Sequence, residues 1–193
     1  EKILERWTDD LLDYDGIFFD RVHGSMGWMW NDMDIDRDGV ADDPNTIDLA
    51  WKEGTISLLS KLREKAPNAP IVGNDAILEY APWLNGSLFE VFLSFYLEGW
   101  HNEYNRYMND YIDWSSVHND SWNLSMISMG GSRECSQFEP GFTCPQSVIN
   151  TTRDNYKTMR FGLASTLMGD GLYLYDIETP VWGQTWWYDE FDI

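Results

Sequence analysis

Basic residues are scarce: 13 Lys and Arg stand against 33 Asp and Glu in 193 residues, a formal net charge of −20. Nucleic acids and anionic membranes are bound by clustered cations that replace counterions on phosphates, so this balance excludes both as partners and disfavours anionic substrates. Long apolar runs are missing as well. No stretch approaches the roughly 18 residues of a membrane span. The opening Glu1-Lys2-Ile3-Leu4-Glu5-Arg6-Trp7 lacks the pattern of a signal peptide and reads as a cut inside a longer chain, with an N-terminal part still to be added. Histidine is rare, and His23, His101 and His118 show no metal spacing. The chain has no Gly-x-Ser-x-Gly elbow, phosphate-cradling glycine loop or dinucleotide fingerprint, so serine hydrolase, NTPase and Rossmann readings have no support.

Cysteine is limited to Cys135 and Cys144, both in a Gly/Pro-rich stretch that runs from Gly130 to Pro145. Neither has a second Cys or a His at zinc-ligand spacing. A disulfide closing this loop is expected, which implies an oxidising compartment and a secreted or extracellular protein; the alternative is two unrelated thiols. Asn-x-Ser/Thr triplets begin at Asn85, Asn119, Asn123 and Asn150 and mark glycans only in a eukaryotic secretory setting.

What the chain does have is apolar and aromatic surface. Hydrophobic residues make up 43 % and aromatics 16 %, with 11 Trp, which excludes intrinsic disorder. Short apolar runs, each closed by a polar residue or glycine, predict strands at Ile17–Phe19 before Asp20, Pro70–Gly73 before Asn74-Asp75, Leu88-Phe89 before Glu90, Leu124–Met129 before Gly130, and Leu172–Tyr175 before Asp176. Helical stretches lie between them. Thr46–Lys65 has apolar positions near the 3.6-residue period and a basic last turn before Pro67. Further helices are expected over Glu98–Trp114 and over Ser147–Met168, the latter with Asn150 or Thr151 as N-cap and Gly169 as stop. Alternating strands and helices predict βα units around a parallel sheet, an α/β fold of the (β/α)8 TIM-barrel type. A complete barrel takes about 250 residues. The chain therefore reads as a single barrel-type domain over 1–193, or as about five C-terminal βα units of one, with an Asp-rich loop insertion at about 24–45.

In such a fold the carboxyl ends of the strands form the active face. Asp20 and Glu90 end different predicted strands, and paired carboxylates suit glycosidic cleavage: one protonates the leaving oxygen while the other attacks the anomeric carbon or activates water. In a chain with 33 acids, simple loop or helix caps are the alternative. Asn74, Asp75 and Asp176 hold equivalent places and suit hydrogen bonding to sugar hydroxyls. Tyr175, with Tyr173 on the same side of its strand, offers either a stacking face or core packing. Trp28 and Trp30, in a Gly/Met-rich loop after the first strand, and Trp182, Trp186 and Trp187, after the last, suit a ligand platform.

Asp34-Ile35-Asp36-Arg37-Asp38-Gly39-Val40-Ala41-Asp42 matches Asp-x-Asp-x-Asp-Gly-x-x-Asp, a pattern of hard oxygen ligands with a glycine at the sharp turn. A structural Ca2+ held by Asp34, Asp36, Asp38, Val40 and Asp42 is expected. Asn45 stands where a full EF-hand loop has Glu, so Asp43, Asp48 or water would close the shell. A solvated acidic loop is the alternative.

Asp15-Gly16-Ile17-Phe18-Phe19-Asp20, the Asp-rich loop, Gly73-Asn74-Asp75, Asn85-Gly86-Ser87-Leu88-Phe89-Glu90, the run from Met159 to Tyr173 and Trp186-Trp187-Tyr188-Asp189-Glu190-Phe191 together resemble the glycoside-hydrolase-like TIM-barrel families related to the endo-α-1,4-polygalactosaminidase group. The resemblance implies a (β/α)8 barrel acting on a polysaccharide or oligosaccharide, with Asp20 and Glu90 at the family's acidic positions. Two other classes stay open: a non-catalytic, calcium-stiffened carbohydrate-binding or cell-surface module, and a structural domain whose acidity serves solubility.

Overall fold

A computed structural model describes residues 14–30, 32–90, 100–117, 123–130, 144–176 and 186–192, with backbone alone for 100–103, 128–130 and 176. The strands are β1 (Ile17–Phe19), β2 (Ile71–Asn74), β3 (Gly86–Phe89), β4 (Met126–Gly130) and β5 (Leu172–Asp176); the helices are α1 (Pro44–Lys65), α2 (Trp100–Val117), α3 (Gln146–Arg153) and α4 (Tyr156–Thr166). The strands form a five-stranded sheet in sequence order. Ile17 pairs with Ile71, Leu88 with Met126 and Met126 with Leu172, all in parallel. An order that advances one strand at a time is compatible with part of a (β/α) barrel, whereas a doubly wound sheet reverses direction partway.

The chain divides into two compact units, 1–87 with 117–122, and 88–116 with 123–193. In the first, α1 begins where Asp43 accepts hydrogen bonds from the Asn45 and Thr46 amides (2.9 and 3.3 Å), with Pro44 at the first helical position. It ends in a turn carrying Arg63 and Lys65. Cap, proline and basic end are the signals expected of helix termini. Ile47, Leu59 and Leu62 of this helix are buried, as are Ile71, Tyr80 and Leu84. Arg63 reaches past the helix end to the Ala69 and Trp83 carbonyls (2.8 Å each) and to Asn85 Oδ1 (2.9 Å). The same Asn85 oxygen accepts the Ile71 amide (2.8 Å), and the Asn85 amide donates to the Ile71 carbonyl (2.7 Å). Asn85 is 4 % exposed, which leaves no room for a glycan at that triplet.

In the second unit the Tyr111 hydroxyl donates to the Thr166 carbonyl (2.8 Å) and accepts the Gly171 amide (2.9 Å), joining α2 to the end of α4 and the start of β5. Gly171 is required there: a Cβ would lie 2.4 Å from the Ser125 carbonyl and 2.8 Å from the Tyr111 hydroxyl. Asn123, also buried, donates to Ser115 (3.2 Å) and Asp170 (2.7 Å), so a second triplet is closed to modification. Asn119 lies outside the described residues.

The five strands fall where the apolar runs placed them, within two residues at each end. The single helix expected over Ser147–Met168 is instead two. Asp154 and Asn155 interrupt it, and the Asn155 side chain accepts the Thr158 amide (3.3 Å) as the N-cap of α4. A short polar side chain that bonds the backbone ahead of it starts a new helix rather than continuing the old one. Neither Asn150 nor Thr151 caps; both lie inside α3. The second helix stops at Thr166, before Gly169.

Replacing Asn85 by Ala leaves the buried Ile71 amide and part of the Arg63 fork without an acceptor. The expected cost is about 2 kcal/mol in urea denaturation, and a variant as stable as wild type would show that this node carries no weight.

Candidate functional site

At the carboxyl ends of β1 and β2 the first unit gathers a polar cluster. Asp20 follows β1 and is exposed, and its Oδ1 accepts the side-chain amide of the buried Asn74 (3.0 Å), the last residue of β2. The Val22 amide donates to the Asn74 carbonyl (2.9 Å), so the two strand ends remain tied beyond the ladder. The next residue after each, Arg21 and Asp75, has positive φ (56° and 51°). Left-handed backbone at non-glycine residues is uncommon and concentrates at functional turns. Arg21 Nε stands 4.0 Å from Asp20 Oδ2, and His23 Nδ1 4.0 Å from Asp75 Oδ2. The His23 carbonyl accepts Trp51 Nε1 (2.8 Å) and the Tyr80 hydroxyl (3.4 Å), which anchors the turn.

His23 and Arg21 are the site residues that sequence reasoning missed. A histidine hunted by metal spacing is invisible, but its position three residues past a strand-end carboxylate was a usable signal. The loop that follows is held by Asp48 of α1, whose Oδ1 accepts the Met26 and Gly27 amides (2.7 Å each). Gly27 permits that approach, since a Cβ would sit 2.5 Å from the Pro44 carbonyl. Trp28, 67 % exposed, presents an edge to His23 at 6.4 Å, and Trp30 meets Trp51 edge-on at 6.1 Å.

The acidic loop brings carboxylate oxygens of Asp34, Asp36 and Asp42 within 4.8 Å of one another. Gly39, at φ 91°, donates its amide to Asp34 (2.9 Å), and Ile35 donates to Asp42 (2.7 Å). Asp38 departs from the expected set, its side chain accepting the Val40 amide (2.8 Å). Asp43 and Asp48, considered for closing a shell, are engaged elsewhere. Hydrogen bonding by Thr46, first through its hydroxyl and then its amide, holds the Asp43 carboxyl below its usual range; Asp48 holds the Met26-Gly27 turn.

In the second unit Glu90 directly follows β3 and is half-buried. Asp20 belongs to one unit and Glu90 to the other, and each is described within its own. Asp176 ends β5 opposite Gly130; its side chain, like Trp182 and Cys135, lies outside the described residues. Tyr175 corrects the sequence reading. It is 2 % exposed and its hydroxyl donates to the Thr152 carbonyl (2.9 Å), so it packs in the interior and offers no stacking face. Tyr173, on the same side of the strand and half-buried, donates its hydroxyl to the Met159 carbonyl (2.8 Å). Trp186 packs against Cys144, Val148 and Ile149, while Trp187 is 73 % exposed. Cys144 is buried, and no described cysteine is a free thiol.

A parallel α/β sheet with acidic, amide and aromatic residues after its strands is compatible with part of a (β/α) barrel, the class in which strand ends form the active face. The model of hypothetical glycosyl hydrolase family 15 (GHL15) matches residues 3–193, and the chain belongs to this family. No curated protein matches it.

Asp48→Ala removes the shared acceptor of the Met26 and Gly27 amides. Both should then exchange with deuterium about ten- to a hundredfold faster, while exchange in the α1 interior stays unchanged; unaltered rates at Met26 and Gly27 would refute the anchoring role.

Proposed function

We propose that the protein is a glycoside hydrolase of the (β/α) barrel type that cleaves a polysaccharide or oligosaccharide with two carboxylates. Glu90 protonates the glycosidic oxygen as the C1–O bond breaks, and Asp20 either attacks C1 or activates the water that does. The observation that carries this reading is the Asn74–Asp20 pair at the carboxyl ends of neighbouring parallel strands, in a chain of a glycosyl hydrolase family. The hydrogen bond holds one carboxylate oxygen and leaves the exposed remainder of Asp20 to face substrate. Asp75 and His23 flank it, and Trp28 and Trp30 supply flat apolar faces for pyranose rings.

Asp34, Asp36 and Asp42, with the Val40 carbonyl, hold a structural Ca2+ that orders the loop bearing Trp28 and Trp30; Asp38 would turn from the Val40 amide to join them. Cys135 pairs with Cys144, in keeping with a secreted protein. A carboxylate cluster this tight, with oxygens within 4.8 Å of one another, favours a cation because like charges repel.

Reducing-sugar release over a panel of neutral and acidic glycans tests the chemistry. Glu90→Gln and Asp20→Asn should each lower turnover by about 10²- to 10⁴-fold, with unchanged far-UV circular dichroism. Full activity in either variant would remove that residue from the mechanism. Proton NMR of the first anomer released separates the two roles for Asp20, since retention requires a nucleophile and inversion a base.

The calcium site is tested apart from turnover. Calcium at about a hundred times its Kd contributes roughly 2.7 kcal/mol, which should raise Tm by about 5–10 °C. Asp34→Asn combined with Asp36→Asn should abolish the rise. A Tm indifferent to calcium and to chelator would overturn the site.

A further inference from the structure

The second unit carries a groove of about 830 Å³ whose walls include Arg153, Tyr156, Arg160, Trp187 and Glu190. It has no part in the carboxylate chemistry above. We infer that this groove is a binding subsite for a neutral pyranose of the glycan chain, with the Trp187 ring as its platform. The inference rests on the carbohydrate-directed function proposed above and adds a binding subsite to it.

The groove is built rather than merely open. Trp187 is 73 % exposed, yet its Nε1 donates to Asp192 Oδ1 (3.1 Å) and its ring meets Phe191 edge-on at 5.8 Å. With the indole N–H already used, what remains for a ligand is the apolar face, held in one orientation before anything binds. Ordering costs are thus already met in the free protein. Tyr188 fixes the floor: its hydroxyl donates to the Arg153 carbonyl (2.7 Å), and its ring packs on Tyr156, Tyr175 and Phe191 at 5.4–6.0 Å. Burial pushes the Tyr188 hydroxyl up to about 12, in keeping with a structural phenol. Arg160 lies over the Tyr156 ring at 5.4 Å and is paired with Glu190.

Chemistry selects the ligand. A flat apolar ring beside a planar guanidinium and a carboxylate matches a sugar, which offers a C–H face to the ring and vicinal hydroxyls to the polar fork. Charge decides which sugar. Arg160 is neutralised by Glu190 and Arg153 by Asp154 at 2.9 Å, and Asp189 adds a further acid to the wall. The net field repels uronates and sulfated sugars.

The test uses the full chain labelled with 5-fluorotryptophan, the Trp187 resonance being assigned by its loss in Trp187→Phe. Neutral gluco-, galacto- and manno-oligosaccharides, and an oligogalacturonate, are titrated to about 10 mM. The expected result is a saturable shift of the Trp187 signal with at least one neutral sugar and none with the uronate. Trp187→Ala should weaken that binding by about three- to tenfold. Glycan hydrolysis with a Trp187 signal static towards every neutral sugar overturns the subsite and leaves the enzyme standing. A shifting signal without hydrolysis supports the subsite and counts against the enzyme. Equal response to the uronate overturns the preference for neutral sugar.

Discussion

The side-chain amide of Asn85 is the contact on which the first unit is assembled. Parallel strands can be joined only by long crossovers, so each crossover must deliver its chain back to the sheet in register, with backbone groups paired on arrival. Asn85 accomplishes this at the entry to β3. Its backbone amide donates to Ile71 at the start of β2, its side-chain oxygen accepts the Ile71 amide in return, and the same oxygen takes one arm of Arg63 from the end of α1. Three consecutive elements meet at one acceptor. Arg63 also collects the carbonyls of Ala69 and Trp83, which lie in the turns on either side of β2. A basic residue in a last helical turn is usually credited to the helix dipole; here it closes the βα unit as well.

The second unit solves the same problem with a tyrosine. Tyr111 takes the Gly171 amide and gives its proton to Thr166, so the turn between α4 and β5 closes on the side of α2. The requirement explains Gly171, where a side chain would collide with the Ser125 carbonyl. It also explains the long polar-tipped aromatics on β5. Tyr173 and Tyr175 send their hydroxyls to the carbonyls of Met159 and Thr152, in α4 and α3 respectively. An aromatic strand that looks like a stacking platform in sequence is a rack of hydrogen-bonding struts in the fold.

That distinction separates what was legible in the chain from what was not. The strands were legible because each is a short apolar run ended by a polar residue or glycine, and parallel strands buried on both faces leave that signature. The boundary between α3 and α4 was not: residues 150–155 are all polar, which suits an exposed helix face as well as a break, and the capping bond of Asn155 decides for the break. Asp20 and Asn74 were legible as strand-end residues, but nothing in their spacing of 54 residues told that they bond each other. His23 was passed over because its partner, Asp75, comes from a different strand end. Two of the four Asn-x-Ser/Thr triplets are closed to glycans for a related reason: burial of Asn85 and Asn123 depends on partners distant in sequence.

Part of the large negative charge acquires structure once the bonded carboxylates are given their places. Asp43 caps α1, Asp48 holds the turn before Trp28, and Asp170 receives Asn123, so part of the acidity is backbone and side-chain hydrogen bonding in anionic form. Asp34, Asp36 and Asp42 form one tight group, whose mutual repulsion a cation would relieve. Glu190 and Asp154 are matched by arginines, and Glu79 by Lys52. After these assignments Asp20 stands apart. It is exposed at a strand end, held on one oxygen by a buried amide, with a residue of left-handed backbone next to it. Surface acids that serve only solubility need no buried amide to orient them and no strained turn beside them, and left-handed turns at non-glycine residues persist only where the surroundings enforce them. The surroundings of Asp20 thus differ from those of the acids assigned above, and this difference supports the chemical role proposed for it.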